Sequence, residues 1–104
     1  MWSSPRNHLR YAVDLLVRIR TADARLVDRA VNISKGGIAI RTADPLAPST
    51  RVNLGVQLPP MLELVNVTGE VVWTDGLHMG LRFDEPDVRV GDFVERLARD
   101  MERL

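Results

Sequence analysis

The sequence contains no cysteine, which excludes disulfides and any chemistry that runs through a thiolate. It has no run of about 18 apolar residues, so no helical membrane span is predicted and no membrane insertion is expected. The opening Met1-Trp2-Ser3-Ser4-Pro5 lacks the apolar core of a secretory signal, which reads as a cytoplasmic protein. Neither charge is in excess, because 14 basic residues meet 14 acidic ones. That balance argues against a nucleic-acid polymer as partner, since such a partner needs a basic face. Aromatic residues make up 5% of the chain, too few for a base-stacking groove along a single strand. His8 and His78 each lack a second histidine or a carboxylate at metal-ligand spacing. No phosphate-cradling Gly-rich loop with Lys, nucleophile elbow or H-E-x-x-H is present. The acids are spread over turns and the last segment, as solvated charges are. The reading is therefore a protein that is not an enzyme and holds no metal or cofactor.

What is present is the patterning of one small β-rich domain. At 104 residues the chain can bury a single core. Residues 1–10 have no apolar periodicity and read as a flexible N-terminal arm. Tyr11–Arg20 alternates apolar and polar residues, which predicts a strand. Further strands are predicted over Leu26–Val31, Gly37–Arg41, Arg51–Leu58, Leu64–Thr74 and Leu77–Phe83. Thr42–Thr50 is a loop, and Pro59-Pro60 ends a ladder because proline has no N–H to give. In the fifth strand Val65, Val67, Gly69, Val71 and Trp73 are expected to share one face, with a bulge or bend at Gly69. Asp75-Gly76 marks a hairpin turn.

From Pro86 onward the period changes to that of a helix. Val90, Phe93, Val94, Leu97, Ala98, Met101 and Leu104 recur on one face. Asp87 is placed to cap it. The expected fold is mainly β: a six-stranded antiparallel β-barrel over residues 11–84, with an amphipathic helix over 87–104 packed on it as part of a single domain.

Two short stretches carry the polar chemistry. The first is Asn32-Ile33-Ser34-Lys35-Gly36-Gly37, between two predicted strands. Asn and Ser favour turns, and glycine leaves backbone N–H groups open to a partner. The second is Arg6-Asn7-His8-Leu9-Arg10 on the arm. Arg6, Arg10, Arg18 and Arg20 meet one acid, Asp14, in the first twenty residues. Arginine's planar fork pairs bidentately with phosphate or with the O6/N7 edge of guanine.

Arg6-x-x-x-Arg10 running into a strand, followed by Asn32-x-Ser34-x-x-Gly37, resembles the two-part signature of the PilZ domain family, R-x-x-x-R and [D/N]-x-S-x-x-G. Gly69-Glu70-Val71-Val72-Trp73, Gly80-Leu81-Arg82-Phe83 and the terminal helix look like that family's later landmarks, so the resemblance runs over about residues 6–104. It implies a six-stranded barrel and a bacterial cyclic di-GMP receptor. By resemblance, Arg6 and Arg10 grip guanine edges and phosphates, while Asn32, Ser34, Gly36 and Gly37 line the guanine. Asn7 stands where the family often has a second Arg, and Asn32 replaces the commoner Asp. The implied role is a receptor or adaptor, a monomer or ligand-dependent dimer, that signals to an unidentified effector protein as the arm orders. The alternative is a nucleotide-independent interaction module of the same fold.

Overall fold

The computed structural model describes residues 9–61 and 63–102. Six strands and one helix follow in the order β1 Tyr11–Arg20, β2 Arg25–Ile33, β3 Gly37–Arg41, β4 Arg51–Gln57, β5 Leu64–Thr74, β6 His78–Phe83 and α1 Val88–Glu102. The strands close into an antiparallel barrel in the order β1-β2-β3-β6-β5-β4, with β4 returning to β1. Closure pairs Val17–Arg20 of β1 with Asn53–Val56 of β4, joining the two ends of the sheet.

The alternation read in the sequence decides which way each strand faces. Leu15, Val17 and Ile19 of β1 point inward with Ile38 and Ile40 of β3, Val52, Leu54 and Val56 of β4, and Val65, Val67 and Val71 of β5. Met79, Leu81 and Phe83 of β6 complete the wall. Burying each such side chain contributes about 1.5–3 kcal/mol. This interior is therefore the main source of stability.

The helix closes one end of the barrel. Asp87 caps it, its Oδ1 accepting from the N–H groups of Arg89 (2.8 Å) and Val90 (3.1 Å). Val90, Phe93 and Val94 join the core, and Leu97 packs against it half-buried. The apolar stripe stops there. Met101, expected on the docked face, is 61% exposed, beyond the last helix residue that packs on the core, Leu97. Leu104 lies outside the described residues.

Three local features depart from the sequence reading. Gly69 sits in regular register opposite Phe83, and a Cβ there would lie 2.3 Å from the Arg82 carbonyl oxygen. Glycine is required at this position by the close approach of β6, not by a bulge. The bulge in β5 falls between Val71 and Trp73, and it turns Trp73 off the core face. Leu77 was expected inside β6 but lies in the turn before it, 60% exposed. Asp75 holds that turn, its Oδ1 accepting from the N–H groups of Leu77 and His78, with Gly76 at φ 85°.

Candidate ligand-binding surface

The turn between β2 and β3 is shorter than the motif that announced it. Asn32 and Ile33 belong to β2, and Gly37 already belongs to β3. The turn itself is built around Ser34, which is fully buried. Its backbone N–H donates to the Gly37 carbonyl (2.9 Å). Its Oγ accepts from the N–H groups of Gly36 and Gly37, both at 3.1 Å. The backbone N–H groups expected to be open to a partner are therefore engaged inside the turn. Among the described residues the positive-φ glycine is Gly76, so this turn is not built on a left-handed glycine. The Gly36 carbonyl accepts from Phe83 N–H (3.0 Å), and Lys35 Nζ reaches Glu95 Oε2 of α1 at 2.8 Å. The turn is thus tied to β6 and to the helix as well as to itself.

The register brings the arm's exit beside this turn. Tyr11 pairs with Ile33 and Ala12 with Asn32, so exposed Arg10 leaves the barrel next to Ser34. Arg6 lies outside the described residues.

The same register defines a row that crosses five strands on the outer surface. Ala12 pairs with Asn32, Asn32 with Ala39, Ala39 with Gly80, and Gly80 with Trp73. Three register shifts border this row, between Ala12 and Leu15, Ala30 and Asn32, and Val71 and Trp73. Each shift re-aims the side chains that follow it, as bulges beside functional sites do. The outcome is a floor of small residues with Asn32 near one end and the Trp73 indole at the other. The indole lies directly over Gly80, where a Cβ would meet its Nε1 at 2.0 Å. Any larger residue at position 80 would displace the ring.

Asn32 is the hydrogen-bonding residue near the β1 end of the row. Its Oδ1 is buried and has no hydrogen-bond partner among the described residues. Leaving a buried acceptor unpaired costs about 1–3 kcal/mol. An acceptor held in this state, on a row of small residues that ends at an aromatic ring, suits a planar heterocycle that brings its own N–H donors.

Trp73 was missed as a site residue in the sequence. Its place in an alternating run assigned it to the core, and only the β5 bulge moves it outside. The small residues Ala39 and Gly80 gave no signal alone, since their alignment depends on the pairing of β3 with β6.

Among the described residues no helix is long and apolar enough to cross a membrane. No group of three or more Asp, Glu or His among them is placed to hold a metal ion.

The PilZ domain family model matches residues 4–100. No curated protein matches the chain by sequence. Among solved structures, the chain is similar to the Bacillus subtilis inhibitor of motility MotI/DgrA, with 22% identity and a TM-score of 0.72 over 97% of this chain. It spans about half of that protein, 53% of its chain. It is also similar to the c-di-GMP-bound PilZ domain of YcgR from Escherichia coli, with 19% identity, a TM-score of 0.70, and coverage of 96% of this chain and 93% of that one. A third similar structure is the PilZ domain of CeSA from a cellulose-synthesizing bacterium, with 17% identity, a TM-score of 0.67, and coverage of 90% and 98%. At these identities the likeness is one of fold.

Proposed function

The chain belongs to the PilZ domain family, and on that footing we propose that it is a cyclic di-GMP receptor whose nucleotide lies on the Ala12–Trp73 row. The observation that carries this reading is the buried Oδ1 of Asn32, unpaired among the described residues, at one end of a floor of Ala39 and Gly80 whose other end is the Trp73 indole. Guanine presents N–H donors on its Watson–Crick edge, and its flat face stacks on an aromatic ring. Arg10, and Arg6 with it, supply forks for phosphate and for the guanine O6/N7 edge. Ser34, Gly36 and Gly37 act by holding the turn that fixes Asn32 in place, because their polar groups already serve one another. The structure of the E. coli YcgR domain with c-di-GMP supports the choice of ligand. In this reading the arm is drawn onto the barrel by the bound nucleotide, and the altered surface is what an effector protein in the cytoplasm detects.

One observation favours a second reading, that of an interaction module without nucleotide. Asn7 and Asn32 leave the chain with less charge at the site than the R-x-x-x-R and [D/N]-x-S-x-x-G pattern usually carries, and the turn's own donors are spent inside it. Titration calorimetry decides between the two. The receptor reading predicts saturable binding of cyclic di-GMP and much weaker binding of cyclic di-AMP, whose base lacks guanine's N1–H and O6. Absence of heat with either nucleotide, or equal affinity for both, refutes it.

A further inference from the structure

We propose that the outer face of the β1–β2 hairpin, at the end of the barrel away from the nucleotide surface, is a docking site for an acidic, leucine-containing segment of a partner protein. The observation is a concentration of arginine that the chain's overall neutrality conceals. Arg20 stands opposite Arg25, Arg18 opposite Val27, and Arg29 opposite both Leu16 and Arg41. These are three successive outward rows on paired strands. Like charges placed directly across a sheet are destabilising, yet the pattern occurs twice here, at Arg20–Arg25 and at Arg29–Arg41.

Most of this charge is uncompensated. Arg29 is paired with Asp14 at 2.8 Å. Among the described residues, Arg18, Arg20, Arg25 and Arg41 have no carboxylate within ion-pairing distance, although all four are exposed. Asp23 in the hairpin turn and Asp28 beside Val27 are the neighbouring acids, and neither forms an ion pair. The other acids that form ion pairs sit on different surfaces, such as Glu70 and Asp84 around Arg51 and Arg82.

The shape favours a chain segment over a small anion. A groove of about 400 Å³ runs between Arg18, Arg20 and Arg25 on one side and Asn53 and Asn66 on the other, with Leu64 in its wall. Gly55 keeps it open, since a Cβ there would press on Leu64 at 3.0 Å. Val27, 62% exposed, continues this surface toward Leu16 and Leu77. Alternate outward rows lie about 6–7 Å apart, so the arginines extend over roughly 13 Å, the length of four or five extended residues. One small anion reaches a single row. Among the described residues no aromatic ring lies on this face, which gives it no stacking platform of the kind a single-stranded nucleic acid uses. From Arg25 to Asn32 the strand runs about 23 Å, so the Arg18–Arg20–Arg25 end of this face is far from the nucleotide row, while its Arg29–Arg41 end lies next to that row.

The test titrates the ¹⁵N-labelled full chain, without nucleotide, with a short synthetic peptide alternating Glu and Leu. Amide shifts are expected at residues 16–20, 25–29 and 53–55, and not at 32–37. The double variant R18E/R25E should weaken the peptide by about tenfold or more. Arg25→Glu replaces a like-charge pair with an opposite one, so its melting temperature should hold or rise, separating lost binding from lost fold. Shifts unchanged by R18E/R25E, or equal binding of a Lys–Leu peptide, overturn the proposal. Saturation of the same amides by sodium pyrophosphate at lower concentration than the peptide also overturns it, by showing a small-anion site. Because nucleotide is absent throughout, the outcome does not depend on the cyclic di-GMP reading.

Discussion

Asn32→Ala should act in opposite directions on stability and on binding. Among the described residues the Asn32 Oδ1 is buried without a partner, which costs about 1–3 kcal/mol. Truncation removes that cost and gives up the packing of a small, half-buried side chain between Ala12 and Ala39. The free protein should therefore keep its stability or gain up to about 1 kcal/mol, a rise of roughly 4–8 °C in a domain of this size. Nucleotide binding should weaken by about 1–3 kcal/mol, or some 5- to 150-fold. Ser34→Ala makes the natural contrast. It removes the acceptor of two backbone N–H groups, of which Gly37's is buried and Gly36's only partly so. That should cost about 1–3 kcal/mol of stability, with the melt moving downward. Thermal denaturation and calorimetry on both variants supply the comparison. If Asn32→Ala melts several degrees lower and binds cyclic di-GMP like the parent, the unpaired oxygen is not a ligand acceptor and the reasoning fails.

The other predictions are shorter. Arg6→Ala and Arg10→Ala should each weaken cyclic di-GMP by about 10- to 100-fold, because charge-assisted hydrogen bonds contribute roughly 1.5–3 kcal/mol; parental affinity in both variants removes the arm from the site. Trp73→Ala should lose about 1–3 kcal/mol of binding if a guanine stacks there, and in the parent chain the tryptophan fluorescence should change on saturation; a silent emission and an unchanged affinity count against stacking. Leu97→Asp places a charge against the core that Leu97 packs on and should destabilise by about 1–3 kcal/mol, whereas exposed Arg99→Asp should be nearly silent in the same melts. Asp14, Asp84 and Glu95 are held below the usual carboxylate range, each chiefly by a hydrogen bond from its basic partner, Arg29, Arg51 and Lys35. A lowered folded-state value means stability that is complete above the unfolded value near 4 and is lost as pH falls through the folded value, so denaturation midpoints should be flat near neutrality and decline below about pH 4.

Whether a feature was legible in the sequence followed from the range of the interaction that creates it. The first strand was read to the residue, Tyr11–Arg20, because period-2 alternation is a local property and nothing interrupts it before the hairpin. The cap at Asp87 and the stripe through Leu97 were legible for the same reason. The stripe's end before Met101 was not, since it depends on how far the helix packs on the barrel core. Ser34 was legible as a turn residue, but which groups its hydroxyl would satisfy depends on how the turn closes. It is buried and its hydroxyl accepts from Gly36 and Gly37, which supports the proposed role of holding the backbone. Trp73 and Asn32 show the limit most clearly. Both owe their outward aim to a one-residue shift between strands, and such a shift sends every following side chain to the other face. No local pattern in β5 encodes it, because the shift becomes visible only when Val71 pairs with Leu81 and Trp73 with Gly80. The polar part of the proposed surface was therefore named from its motif, while its aromatic half and its floor required the register. That division has a physical cause: hydrogen-bonding side chains announce themselves by type, whereas a flat floor is made of alanine and glycine, which mean nothing until five strands bring them into one row.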